Sequence, residues 1–131
     1  MDNHPKAILL RRFYDAFTQS DYISAVAAFL RPDVVWHVSG NNPLARDYRG
    51  TEAVLNAMRS YGERSGHTLQ LDTRSIFADD DHAIAVHWAT GERAGFTYSA
   101  HEIDVFHIED DRIVEFWSFS EDQRATDTLW S

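Results

Sequence analysis

With 131 residues the chain is long enough for one domain with a single hydrophobic core. Its 21 acidic against 12 basic residues, a net charge of −9, would repel a phosphate backbone or an anionic membrane surface, so neither nucleic acid nor membrane is expected as a partner. The absence of cysteine excludes a disulfide frame, a thiolate nucleophile and a cysteine-ligated zinc, and it fits a cytoplasmic setting.

The first third reads as helix. Ile8, Leu9, Phe13, Ala16 and Phe17 recur at helical spacing, with Tyr14 beside that face. Lys6, Arg11, Arg12 and Asp15 interrupt the apolar positions, which marks an amphipathic helix rather than a signal peptide. Ser20 or Asp21 caps a second helix with Ile23, Val26, Ala27 and Leu30 on its apolar face, and Arg31-Pro32-Asp33 ends it. Val34–Ser39 is a β-branched and aromatic strand, followed by a loop to Gly50. Thr51 caps a third helix carrying Val54, Leu55 and Met58, closed by Gly62 to Gly66.

Everything beyond residue 66 reads as antiparallel strands. Thr68–Phe77 precedes a turn at Ala78–Asp81, and Ile84, Val86 and Trp88 alternate along the next strand. Thr90–Gly95 turns into one long strand, Phe96–Ile108, with a bend or bulge expected near Ser99-Ala100. Glu109-Asp110-Asp111 leads to the last strand, Ile113–Ser120, and the tail from Glu121 is expected to form a short helix with Trp130 packing back. Helices first and a meander afterwards predict an α+β fold, three helices on a strongly curved, mainly antiparallel sheet that encloses an apolar pocket. Large apolar groups on both faces of the last strand predict a homodimer through the outer sheet face.

Two polar residues stand where strand patterning predicts burial: His37 in Val34-Val35-Trp36-His37-Val38 and Asp104 in Ile103-Asp104-Val105-Phe106. Burying a titratable group without a partner costs about 1–3 kcal/mol or more, so each is satisfied by a hydrogen bond or kept for chemistry. The plain alternatives are a backbone carbonyl as partner for His37 and an ion pair with Arg12 or Arg74 for Asp104. No His-Glu-x-x-His or His-x-His spacing supports a metal site, and none is expected.

Four stretches, Leu10–Phe17, Asp33–Gly40, Asp47–Val54 and Ile113–Trp117, give the chain a family likeness. It resembles the SnoaL-like branch of the nuclear transport factor 2-like superfamily, with its polyketide cyclases and its relative ketosteroid isomerase, over roughly residues 8 to 125. The resemblance implies a single cone-shaped domain over residues 1–131. It places His37 at the general-base position and Asp104 at the oxyanion position, in the matching Ile-Asp-x-Phe context. The oxyanion tyrosine of ketosteroid isomerase falls at Phe13, one residue before Tyr14, and one residue on a helix turns a side chain by about 100°. Tyr14 is therefore kept as a second donor.

A histidine near its ordinary pKa and an aspartic acid held neutral describe proton transfer next to a carbonyl: isomerisation, aldol-type cyclisation or dehydration, with no cofactor. In a second arrangement ionised Asp104 accepts from His37; Glu102 could fill either role, and Asp122 is a candidate at the rim. Phe17, Met58, Tyr61, Val86, Trp88, Glu102, Phe106, Phe116 and Ser118 are expected to line the pocket around a small hydrophobic carbonyl ligand. The alternatives are a non-catalytic small-molecule-binding protein of the same fold and an epoxide hydrolase-like enzyme.

Overall fold

The computed structural model describes residues 3–131. Helices α1 (Pro5–Ala16), α2 (Tyr22–Ala27) and α3 (Thr51–Arg64) pack on one face of a six-stranded sheet. The strands are β1 (Leu30–Val38), β2 (Asp47–Arg49), β3 (Gln70–Ala78), β4 (His82–Arg93), β5 (Phe96–Glu109) and β6 (Arg112–Ser120). Their order across the sheet is β2-β1-β6-β5-β4-β3, and every neighbouring pair is antiparallel except β1 with β6. The curved, unclosed sheet and its helices make the expected α+β cone. The tail forms α4 (Gln123–Trp130), and Trp130 is buried with its ring edge on Tyr61. No helix among the described residues is long and apolar enough to cross a membrane.

The local chemistry explains most of these boundaries. Pro5 occupies the first turn of α1, where its missing N–H costs nothing. Asp21 caps α2 by accepting from the Ser24 N–H, and Asp122 caps α4 by accepting from the Ala125 N–H. Both tight hairpins turn on two residues of positive φ, Ala94-Gly95 and Asp110-Asp111, as a two-residue turn between twisted strands requires.

Four details depart from the sequence reading. Helix α2 stops at Ala27, so Leu30 and Pro32 lie in β1; the proline falls within the register shift between Leu30 and Val35, where its missing donor breaks no ladder bond. The expected loop before Gly50 contains the short β2. Gly50, not Thr51, is the cap of α3, and the Thr51 hydroxyl donates instead to the Arg31 carbonyl. No bulge falls at Ser99-Ala100, where β5 pairs with β4 without a break; the irregularities lie between Thr73 and Ser75 and between His107 and Ile108.

Helix α4 is held against the loop after β1 by one carboxylate. Asp127 accepts from the Asn41 N–H at 2.8 Å, from Asn42 at 2.9 Å and from Gln123 at 3.1 Å. The approach is close enough that a β-carbon on Gly40 would stand 2.5 Å from Gln123 Nε2 and 2.6 Å from Asp127 Oδ1. Glycine is therefore required there on two counts, since its φ of 132° also suits no other residue.

Candidate active site

Strand alternation and register write the site across the concave face of the sheet. One row runs Ala83–Phe106–Phe116–Trp36 through β4, β5, β6 and β1. Its three rings stack in parallel, Phe106 on Phe116 at 5.0 Å and Phe116 on Trp36 at 5.2 Å, and form an aromatic floor. The next inward row is Ala85–Asp104–Ser118–Val38, and the one after it is His87–Glu102–Ser120. Five polar side chains thus make a belt beside the floor. Helices α1, α3 and α4 close the space above it, leaving a cavity of about 770 Å³ that opens to solvent.

Asp104 is the hub of the belt. Its carboxylate accepts from the Tyr14 hydroxyl at 2.5 Å and from His87 Nε2–H at 3.1 Å, and Ser118 faces it from the next strand. Ser118 and His87 are themselves held. Trp36 Nε1–H donates to Ser118 at 2.9 Å, and His87 Nδ1 lies 3.0 Å from the Thr73 hydroxyl. Burial alone would raise the Asp104 pKa; the bond and charge of His87, with the Tyr14 bond and the nearby Ser118 hydroxyl, outweigh it and hold the carboxyl below its ordinary value. Burial and the neighbouring Asp104 push the Tyr14 hydroxyl well above its own. The result is an ionised carboxylate against an apolar wall, with the Tyr14 hydroxyl beside it held in its protonated form.

Glu102 lies two residues along the same strand face. Tyr98 donates to its Oε2 at 2.9 Å. Burial, then the charge of Asp104, raises the Glu102 pKa to about 7. Among the described residues lining the cavity, Asp15, Asp72, Glu102 and Asp104 are acidic and none is lysine or arginine.

The model of the SnoaL-like domain matches residues 10–116, most of the chain. The chain belongs to the SnoaL-like family. Among solved structures it is similar to Bal32a from a soil-derived mobile gene cassette, with 27% identity, 95% of each chain covered and a TM-score of 0.90. A protein of unknown function with a cystatin-like fold from Xanthomonas campestris shares 27% identity, with 95% of this chain and 98% of that one covered and a TM-score of 0.88. An NTF2-like protein from Burkholderia pseudomallei matches in fold, at 19% identity, 100% and 99% coverage and a TM-score of 0.82. No curated protein matches at a significant level.

Of the residues singled out from the sequence, the cavity of this SnoaL-like domain is lined by Asp104, Tyr14, Phe17, Met58, Tyr61, Glu102, Phe106, Phe116 and Ser118. Three expected residues lie elsewhere. His37 follows the inward Trp36 and so points out of the opposite face, where its ring stacks on Trp117 at 5.3 Å. There Nδ1–H donates to Asp47 at 2.7 Å and Nε2–H to Glu115 at 2.5 Å, so the ring does not share a cavity with Asp104. Val86 and Trp88 also take the outer face; Val86 pairs with Ile103, and the Trp88 ring packs edge-on against His101 at 4.9 Å. Neither residue lines the cavity, because the inward phase of β4 is Ala83, Ala85, His87 and Ala89. Asp122 serves as the α4 cap, and Asp104 bonds neither Arg12 nor Arg74. His87, fully buried beside Asp104, is the residue that the sequence reading did not single out. Its signal is its place opposite Glu102, in the phase of β4 that carries small residues.

The His37 arrangement has its own consequence. Burial disfavours the charged ring, but the bonds and charges of Glu115 and Asp47 outweigh it and raise the pKa. A raised folded-state value contributes stability that is fully present below the unfolded value of about 6.5 and is lost as pH rises through the folded one. Over about pH 6 to 9 the melting temperature of the wild-type domain should therefore fall more steeply than that of His37→Gln. Equal slopes in the two proteins would remove His37 from the account of stability.

Proposed function

We propose that this SnoaL-like domain is a cofactor-independent acid/base enzyme that moves a proton next to a carbonyl on a small hydrophobic substrate: an isomerase, an aldol-type cyclase or a dehydratase. The observation that carries the reading is Asp104, an ionised carboxylate held by two protein donors at the boundary between an aromatic floor and a polar belt. A structural carboxylate needs no access to a large cavity; Asp104 has it. A flat apolar body fits along Phe106, Phe116 and Trp36, which places its polar end at Asp104. There the carboxylate takes a proton from the carbon next to the carbonyl, and the surrounding apolar wall, by excluding water, strengthens it as a base once the ligand is seated. His87 does not line the cavity; it positions Asp104.

The test is exchange of the α-protons of 2-tetralone, an uncharged bicyclic aromatic ketone, into deuterated water, followed by proton NMR. The wild-type domain should accelerate exchange over buffer. No acceleration, with 2-tetralone shown to bind, would favour the non-catalytic binding protein.

We also propose that two copies pair through the convex face. Ile84–Val105–Trp117 and Val86–Ile103–Phe119 run there as two apolar rows, and Phe119 is 43% exposed in the isolated chain. Such a patch marks an association surface. Light scattering at micromolar concentration should give twice the 15.1 kDa chain mass, and Phe119→Asp with Val105→Asp should return it to one. A wild-type protein that scatters as a monomer would refute the pairing.

A further inference from the structure

We propose that Glu102 is a second catalytic residue, the acid that gives its proton to the substrate's carbonyl oxygen while Asp104 takes one from carbon. The proposal rests on the acid/base reading of the cavity. Its ground is the placing of two carboxyl-bearing residues on one strand face, their α-carbons about 7 Å apart, both lining one cavity. The surroundings divide them. Asp104 has two protein donors, Tyr14 and His87, and stays ionised. Glu102 has the Tyr98 hydroxyl on Oε2, the Asp104 charge beside it, His87 opposite it on β4 with a smaller opposing effect, and no lysine or arginine among the described residues of the wall. A buried and a half-buried carboxylate side by side cannot both ionise cheaply, so the proton resides on the less supported one. The Glu102 pKa of about 7 agrees with this division.

Tyr98 sets where that proton points. Its hydroxyl is pinned by Ser120 at 2.8 Å and Thr126 at 3.1 Å while it donates to Oε2. The proton of the acid is then left to Oε1. Tyr98 is buried and does not line the cavity, so it is a positioning residue. In the forward step the C–H pair becomes the C=C bond, the C=O π pair moves to oxygen, and oxygen takes the Glu102 proton. The site then holds an enol, neutral Asp104 and ionised Glu102. In the return step Glu102 recovers the enol proton as Asp104 protonates carbon, so both groups end as they began.

The plain alternative makes Glu102 a strut for Tyr98, and the 2-tetralone exchange assay between about pH 5 and 9 separates the two. The wild-type rate should be level on the acid side and fall as Glu102 loses its proton, near pH 7. Glu102→Leu should lose about 10²-fold. Glu102→Gln, which can hydrogen-bond the oxygen but gives up no proton, should retain part of the rate and lose the alkaline fall. Tyr98→Phe should move the alkaline fall and spare most of the rate below it. Carbon-13 NMR of labelled glutamate should show one carboxyl titrating near 7 that is missing from Glu102→Gln. If Glu102→Gln keeps the wild-type rate and profile while Asp104→Asn does not, this proposal fails and the acid/base reading survives. If the wild-type domain gives no exchange above buffer, both fail.

Discussion

Replacing Asp104 by asparagine should cost about 10²- to 10⁴-fold in α-proton exchange, the range assigned to a positioned acid or base. Asparagine matches aspartate in shape, so the cavity and its aromatic floor persist. It cannot hold a proton taken from carbon. Affinity for an unreactive probe such as 2-naphthol should change far less, because that probe is bound by the rings. His37→Ala should leave the exchange rate near the wild-type value, since its ring lies on the far side of the sheet with Asp47 and Glu115. A full exchange rate in Asp104→Asn would end the acid/base reading. A collapse in His37→Ala at unchanged stability would return the base to β1.

Phe13→Ala should be the most damaging single change to the fold. Phe13 is 1% exposed and meets Tyr14, Phe17, Phe29, Phe106 and Phe116 edge-on, at centroid distances from 5.2 to 6.5 Å. Truncating a buried phenylalanine costs about 3–5 kcal/mol through lost transfer energy and a residual cavity. At roughly 4 °C per kcal/mol for a domain of this size, the melting temperature should fall by more than about 10 °C. The loss is also local to the site, because Phe13 backs two of the three floor rings. A chemical denaturation curve showing less than about 1 kcal/mol of loss would mean that these rings close over the gap.

The sequence carried the architecture well because its signals are local. The helical spacing around Phe13 and Val54, the cap at Asp21 and the Asp110-Asp111 hairpin each act within a few residues. Asp104 was legible as a lone polar group in an apolar strand, and Glu102 followed by parity. Facing was not legible where both phases of a strand are apolar. In Val35-Trp36-His37-Val38 nothing local says whether Trp36 or His37 points inward, and a single-residue error exchanges the faces. In β4 the bulky phase, Ile84, Val86 and Trp88, looks like the core. Helix α1 packs directly on the concave side of β4, so that side takes the alanines and His87, and the large residues go outward. Register across strands decides this, and one sequence does not display register.

The interleaving of faces along β5 bears on how such a domain changes. Even positions from Tyr98 to Phe106 belong to the interior and its chemistry, and Ile103 and Val105 to the exterior. Substitutions at the even set can retune proton transfer or ligand shape while the outer surface stays as it was, and the odd set can drift without disturbing the carboxyl groups. Point substitution can therefore diversify the reaction and the assembly separately. Insertion or deletion of one residue cannot, because it would turn Asp104 and Glu102 outward and bring Ile103 and Val105 into the cavity in the same step.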